Sequence, residues 1–467
     1  MKTLPPIVPT PEQLPIISGN SLGMEVIRGA AGSGKTSTAI LRLRSLAYMF
    51  EERNEREAIR FPVQILVLTF NRTLSGYVKE LIDQQVAGLG NTFLTVDTFS
   101  RWAMNHVGHR NVVDDRPREN KLKALAAPIT NLSPDYVVKE VDYLLGRFPP
   151  DRLDDYLDAE RTGRGAQPRV DRQTRQRILD LVVKPYQAWL VENNTSDWNT
   201  LAVDMAASPA PAGFDIAIVD ESQDFSANQL RALRAHLADD HAVTFVIDTM
   251  QRIYARGFTW SETGFDGRAR YYSLRANHRN TAQIAAFASG VLSGLPLEDD
   301  GALPDLQRAN SQGSLPTALQ GKFSGQIAWA IEFIRRFVDL RTESVAFLQP
   351  QGGGYFKATR EALKQAGIDF TDLTRQPDWP DGAENVALCT FHSAKGLEFD
   401  HVFILGLNAE NTEHGEEAVD DQLTVLRRLL AVAIARARLS VTVGYKPGEQ
   451  SDLVAYFQSG TFREEVV

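Results

Sequence analysis

The stretch Met24-Glu-Val-Ile-Arg28, running on into Gly29-Ala30-Ala31-Gly32-Ser33-Gly34-Lys35-Thr36, decides the fold. Its second part fits the pattern GxxxxGK[ST] without a mismatch. Met24–Arg28 reads as a short buried strand, and Ser37 to Phe50 carries helical apolar spacing at Ile40, Leu43, Leu46 and Ala47. Strand, glycine loop and helix together form a phosphate cradle. Glycine lets the backbone curl so that several N–H groups converge on phosphate oxygens. The helix N-terminus adds partial positive charge at the same place. Lys35 is spaced to reach β- and γ-phosphates, and the Thr36 hydroxyl to hold Mg²⁺.

Outward from this loop, Ile65–Phe70, Leu94–Asp97, Phe214–Asp220 and Ala242–Asp248 read as strands, with a helix at Leu74–Val86. Strands alternating with helices predict a parallel sheet covered on both faces. From Arg101 to Ala210 the pattern is helical, polar and rich in Arg and Asp, as an insertion into that unit would be. A second α/β unit is expected from Tyr271, with helices at Thr281–Leu292, Gln326–Leu340, Tyr355–Gln365 and Asp420–Arg436. Its strands are expected at Ser344–Leu348, Ile368–Leu373, Val386–Thr390, His401–Leu405 and Leu439–Gly444, and Ser293–Gln320 reads as a surface connection.

A length of 467 residues suggests about two to four domains. Hydrophobic content of 43% and charged content of 23% are ordinary for a globular chain. No apolar run is long enough to span a bilayer, and the start, Met1-Lys-Thr-Leu, lacks the apolar region of a signal peptide. Cys389 is the single cysteine, which excludes an internal disulfide framework and fits a reduced, cytoplasmic setting. A net charge of −9 argues against wholesale coating of nucleic acid but leaves room for a local basic track. Arg161, Arg164, Arg169, Arg172, Arg175 and Arg177 form one such cluster, readable either as a solvated face or as a nucleic-acid contact.

Ile216-Ala-Ile-Val-Asp220-Glu221-Ser-Gln-Asp224 ends a buried strand in two adjacent carboxylates. Neighbouring side chains at a strand end diverge. Asp220 can then serve Mg²⁺ while Glu221 orients and deprotonates an attacking water.

These motifs, GAAGSGKT with VDESQD, resemble those of the UvrD/Rep branch of superfamily 1 helicases. Further segments look like that family's motifs in the right order: Leu66–Asn71, Thr95–Ser100, Asp248–Tyr254, Leu274–Arg279, Thr390–Phe399 and Leu430–Ala437. The resemblance covers nearly the whole chain and implies two RecA-like P-loop domains with a mainly helical insertion. The first, 1A, would comprise residues 1–100 and 211–270; the insertion, 1B, 101–210; and the second, 2A, 271–467. It implies ATP and Mg²⁺ as cofactors and single-stranded DNA, or a single-strand/duplex junction, as partner.

By the same resemblance Gln251 senses the γ-phosphate, Arg279 and Arg436 reach it from the second domain, and Glu398 contacts the nucleotide sugar. Thr69, Phe70, Asn71, Thr98, Phe99, Tyr254, Trp260, Thr390 and His392 become candidates for the nucleic-acid track. Aromatic faces stack on bases of any sequence, and hydroxyls bond backbone phosphates. For Phe70 and Phe99 core packing competes with that role.

Departures from the family pattern are informative. Gln13 matches the family's adenine-contacting glutamine, yet Thr10-Pro-Glu-Gln13 is also a helix start with a capping box, and both roles can coexist. His278 and Ser37 stand where the family usually has the Tyr and Arg that clamp the base. The accessory domain 2B, inserted before the Thr390 motif in family members, is replaced by Arg375–Asn385, about the length of an ordinary loop. The expectation is an ATP-driven, 3′→5′ translocase or helicase on single-stranded DNA. The alternative is a DNA-sensing ATPase switch that regulates a partner effector, such as a nuclease.

Overall fold

The computed structural model describes residues 9–29, 32–70, 72–86, 90–108, 111–159, 170–208, 213–248, 258–265, 269–274, 280–295, 311–374, 379–380, 382–414 and 421–467. Gln251, Tyr254, His278, Arg279 and Asn71 lie outside these, as do Arg161, Arg164 and Arg169.

The first sheet is wholly parallel. Its strands are β1 (Gly23–Gly29), β2 (Val63–Thr69), β3 (Thr92–Thr98), β4 (Phe214–Val219), β5 (Leu237–Asp248) and β6 (Arg270–Leu274), in the order β3-β2-β4-β5-β1-β6. β1 lies between β5 and β6, with Gly29 opposite Asp248 and Leu274. The sequence reading starts the second domain at Tyr271. Arg270–Leu274 instead completes the first sheet, because Tyr271 and Tyr272 pair with Val26 and Ile27.

Around this sheet run α1 (Leu14–Ile17), α2 (Lys35–Arg56), α3 (Arg72–Val86) and α4 (Phe99–Val107). The insertion adds α5 (Asp115–Ala126), α6 (Pro134–Arg147), α7 (Arg172–Ile178) and α8 (Lys184–Glu192), the last two joined by a π-helical turn. α9 (Trp198–Ala207) and α10 (Ala227–Ala235) return to the sheet. The expected span 101–210 therefore divides in two. Trp102, Leu201 and Met205 pack beneath the sheet with Val219 and Phe245. Leu122, Val141, Leu144, Ile178 and Tyr186 close a separate core in α5–α8.

The second domain begins with α11 (Ala282–Leu292), capped by the Thr281 side chain. β7 (Thr317–Gln320), β8 (Val345–Gln349), β9 (Thr371–Asp372), β10 (Val386–Thr390), β11 (Phe399–Ile404), β12 (Ala437–Tyr445) and β13 (Arg463–Val466) form the second sheet. Their order is β13-β7-β12-β11-β8-β10-β9, and all its pairings are parallel. α12 (Phe323–Phe337), α13 (Gly354–Gln365) and α14 (Asp421–Ile434) flank it. Thr317–Gln320, read from sequence as part of a surface connection, is a strand because β12 on one side and β13 on the other supply its ladder. Cys389 is buried in β10, as expected.

One apolar cluster runs through both domains, joining Leu74 and Tyr77 of α3 to Leu373, Phe391 and Leu397. Thr73 Oγ1 donates to Leu373 O at 2.7 Å, and the Tyr77 and Trp379 rings meet at 5.0 Å. No helix among the described residues is long and apolar enough to cross a membrane.

Candidate active site between the two sheets

The strand ends of a parallel sheet point one way, so β1 and β4 deliver their following loops to the same edge. Gly34 caps α2 with φ of 77°, a left-handed conformation open to glycine. A Cβ there would lie 2.5 Å from Gln13 Nε2, so this glycine also admits Gln13 to the loop. Gln13 is buried; its Nε2 donates to Ser33 O at 3.4 Å while its Oε1 accepts the Thr10 N–H at 2.9 Å. Only this half of the anticipated capping box forms. Ser33 is buried just before α2, and on the first turn of α2 Lys35 is buried and Thr36 and Ser37 half-buried.

Thr36 Oγ1 donates to Asp220 at 3.0 Å and 3.2 Å to its two oxygens. Asp220 is buried at the end of β4, where its N–H bonds Leu68 O at 2.9 Å. Burial, with the adjacent Glu221, pushes its carboxyl up to about 7. A hydroxyl and a desolvated carboxylate at this spacing are hard oxygen donors of the kind Mg²⁺ takes, and a dication would restore the charged form. The residues present fit that ion.

Glu221 adopts φ 52° and ψ 40°, a left-handed conformation costly for a side-chain-bearing residue. It turns the chain immediately after β4, into a short helical turn at Ser222–Asp224, and the Ser222 hydroxyl bonds Val246 O at 3.0 Å. Burial pushes the Glu221 carboxyl up, but Lys395, Arg436 and Lys35 together hold it below the usual carboxylate range. Two of those three cations come from the second domain. Lys395, 1% exposed, bonds Asp224 and lies 3.3 Å from Glu221 Oε2. Arg436, also buried, follows α14 and is held by the Val432 carbonyl at 3.2 Å and the Leu397 carbonyl at 3.3 Å. Glu398 is half-buried just before β11.

The nucleic-acid candidates divide. Phe70 is half-buried at the end of β2, with the Lys395 ammonium 5.0 Å from its ring centre. Thr69 is buried. The Thr98 side chain caps α4 by accepting the Arg101 N–H at 3.4 Å. Phe99 is a correction: it is 4% exposed and packs edge-on against Trp102 and Phe225, so it presents no face to a base. Trp260 rests half-buried on Phe245 at 4.6 Å, between Phe258 and Phe265, which makes it core in this conformation as well. Thr390 Oγ1 accepts the Ser393 N–H at 3.2 Å and shapes the turn that carries His392 and Lys395. Burial lowers the His392 pKa, followed by Lys395. Within the arginine cluster, Arg175 holds the carbonyls of Tyr156, Leu157 and Ala159, and Arg177 bonds Pro128 O at 2.6 Å. Arg172 is exposed and paired with Asp158.

Sequence reading gave Lys395 no role, although the motif Thr390–Phe399 contains it. The available signal was a lysine set among small and apolar residues next to a strand end. Arg42 was missed too. It is 1% exposed on α2, pairs with Glu25 at 3.1 Å, and donates to Ile16 O at 3.0 Å and to Gly19 O. It thereby ties the segment after Gln13 to the phosphate-loop helix.

Two parallel sheets flanked by helices, one ending in a phosphate loop and an Asp-Glu pair, make a P-loop enzyme of the two-RecA-domain kind. The family described as UvrD/REP helicase N-terminal domain matches residues 10–259, and the UvrD-like helicase C-terminal domain matches residues 360–447. The chain belongs to the UvrD/REP helicase family and is a DNA helicase-type ATPase. A protein named probable DNA helicase from Mycoplasma pneumoniae is 23% identical over 447 residues, 89% of this chain and 79% of that protein. ATP-dependent DNA helicase UvrD2 of Mycobacterium bovis is 36% identical over 99 residues, 19% of this chain and 13% of that protein. A crystallised C-terminal domain of a possible DNA helicase from Lactobacillus plantarum, 23% identical, covers 40% of this chain and 99% of its own at a TM-score of 0.31, too low for a fold comparison.

Proposed function

We propose that this chain is an ATP-driven motor on single-stranded DNA that moves 3′→5′. The observation that carries the reading is that Lys395, from the second domain, is buried 3.3 Å from Glu221 Oε2 and against Asp224 at the phosphate edge of the first. A site completed from both domains links the state of the nucleotide to the relative position of the sheets. That is what stepping along a strand requires.

In this reading Gly29, Gly32, Ser33, Gly34 and Lys35 hold the phosphates. Thr36 and Asp220 would hold Mg²⁺, which would supply neutralisation of the phosphate charge. Glu221 orients the attacking water and accepts its proton. Gln251, Arg279 and Arg436 stabilise charge on the transferred phosphoryl group, and arginine suits this because its fork matches phosphate oxygens. Gln13, Ser37, His278 and Glu398 surround the nucleoside. Phe70, Asn71, Tyr254, Thr390 and His392 lie along the DNA path, with Thr69 and Thr98 shaping its floor. In this assignment the first domain runs to about residue 274 and the insertion is the separate core of α5–α8, and a cytoplasmic location suits it.

The test is steady-state ATP turnover with and without oligo-dT. Displacement of streptavidin from oligonucleotides biotinylated at either end then reads direction. The expected result is strong stimulation and displacement from one end only; turnover indifferent to DNA would refute the motor.

A second reading, a DNA-sensing switch serving an effector such as a nuclease, draws on one feature. The short 2B-less connection carries Trp379 onto Tyr77, tying the domains together with the Thr73–Leu373 bond. DNA-stimulated turnover without streptavidin displacement from either end would select it.

A further inference from the structure

The turn between α14 and β12, which carries Arg436, lies in the core and finds its hydrogen-bond partners in distant parts of the chain. A helix leaves its last carbonyls without partners inside the helix, and buried carbonyls need them from elsewhere. Ala435, Arg436 and Ala437 are all buried. Their three successive carbonyls are taken by two groups from outside α14. Asn280 Nδ2 donates to Ala435 O at 3.0 Å and to Ala437 O at 2.5 Å, and the Phe399 N–H donates to Arg436 O at 3.0 Å. The backbone on either side of the arginine is therefore fixed by one side chain.

The residue type suits this task. A primary amide nitrogen carries two donors, and here each goes to one carbonyl. Serine brings one donor, and a charged aspartate none. Asn280 is itself 2% exposed and firmly based: its carbonyl accepts from Ser311 Oγ at 3.5 Å, and the Ala282 N–H donates to Ser311 O at 3.0 Å. The same helix pair is clamped again at its other end. Arg427 of α14 donates through Nε to Val291 O at 2.9 Å and through Nη2 to Ser293 O, at the end of α11. Arg427 lies nine residues before Arg436, about 13 Å along the helix. One clamp thus adjoins the arginine, and the other holds the same two helices well away from it.

We propose that Asn280 is a positioning residue for Arg436. By binding the carbonyls on both sides of that residue, its amide sets where the guanidinium fork stands at the cleft. The proposal rests on the reading of Arg436 above, as a group that stabilises charge on the transferred phosphoryl group. Such stabilisation depends on placement fixed before the reaction, and a misplacement of about 1 Å can cost 10²-fold in rate. Asn280 also directly follows Arg279 in the chain, so the test separates the two arginines.

The experiment measures kcat and KM for ATP of the whole chain, with oligo-dT present, for wild type, Asn280→Ala, Arg436→Ala, the double variant and Arg427→Met. Assays run at a temperature where melting curves show each protein fully folded. Asn280→Ala is expected to lower kcat by about 10- to 100-fold with KM nearly unchanged, the scale and pattern of a misplaced transition-state group. In the Arg436→Ala background the same substitution is expected to lower kcat no further, because the group it places is gone. Arg427→Met loosens the far end of the same helix pair and is expected to lower the melting temperature while kcat stays close to wild type. Equal kcat losses in Arg427→Met and Asn280→Ala, or losses that multiply in the double variant, would make Asn280 a part of the fold alone and overturn the proposal. Wild-type kcat in Asn280→Ala, with turnover lost in Arg436→Ala, also overturns it and leaves the role of Arg436 standing. Near-normal turnover in Arg436→Ala removes that role, and the proposal falls with it. Should Asn280→Ala fail to fold, Asn280→Ser, which keeps one donor, decides by the same comparison.

Discussion

The two walls of the cleft are built differently. The first wall is acidic at its business end and complete in itself: Thr36 meets Asp220 at 3.0 Å within one domain, and Arg42 braces the segment beside Gln13 from the phosphate-loop helix. The second wall contributes buried cations, Lys395 and Arg436, whose anionic counterpart Glu221 lies across the cleft. Each wall is costly alone, because charge in a low-dielectric interior requires a partner. The difference teaches a division of labour. In the reading proposed above, binding the nucleotide belongs to the first domain and hydrolysis to the pair brought together.

The sharpest way to break that division is to remove the second wall's arginine. Arg436→Ala is expected to lower kcat by about 10³-fold or more, the range for an arginine that stabilises a phosphoryl-transfer transition state. ATP affinity, read by a fluorescent nucleotide, should change far less; equal losses in both would show that the first wall does not bind on its own. Next in size is Glu221→Gln, expected to cut kcat by about 10² to 10³-fold while leaving nucleotide binding intact. Near-normal turnover in that variant would remove Glu221 from its role as base.

Much of this asymmetry was legible in the sequence, and the reason lies in what a linear pattern records. The strand-loop-helix of Met24–Phe50 and the apolar strand ending at Asp220-Glu221 are local, so periodicity and glycine spacing expose them. β6 and β7 were misassigned because both are short, and their status as strands depends on neighbours distant in sequence. Phe99 was a stacking candidate through its motif position, with core packing as its competitor, and core packing wins because α4 starts there and turns the ring toward Trp102 and Phe225. Lys395 drew no role from the sequence because its meaning is a distance to Glu221, 174 positions away in the chain. Tertiary juxtapositions of charge leave no periodic trace.

Arg42 tests the self-sufficiency of the first wall from within. Arg42→Met leaves Glu25 buried without its main cation, and a buried pair broken in this way costs about 3 kcal/mol or more. The midpoint of urea denaturation should fall accordingly. Because Arg42 also holds the Ile16 carbonyl, Gln13 loses its support, so KM for ATP should rise with kcat nearly unchanged. A fall in kcat at constant KM would place Arg42 in the hydrolytic step and blur the two walls.

The smallest effect concerns whether the walls unfold together. The apolar cluster that joins Leu74 and Tyr77 to Leu373, Phe391 and Leu397 predicts a single transition. Acid provides a probe on each side. Burial lowers the pKa of His236 in the first domain and of His401 in the second; Glu343 and Asp400 oppose the shift at His401 without reversing it. A folded pKa below the unfolded value near 6.5 means that the unfolded chain takes up the proton first. Stability from these groups is therefore full above about pH 6.5, and it declines as pH falls until the folded pKa is passed, at no more than about 1.4 kcal/mol per pH unit for each histidine. His401→Gln should flatten that decline. If the shared cluster couples the sheets, the flattening will appear equally in hydrogen-exchange probes of β4 and of β11, since one unfolding event exposes both. Flattening confined to β11 would mean that the second domain opens alone, and the cluster across the cleft would then be a contact that breaks in every cycle rather than a common core.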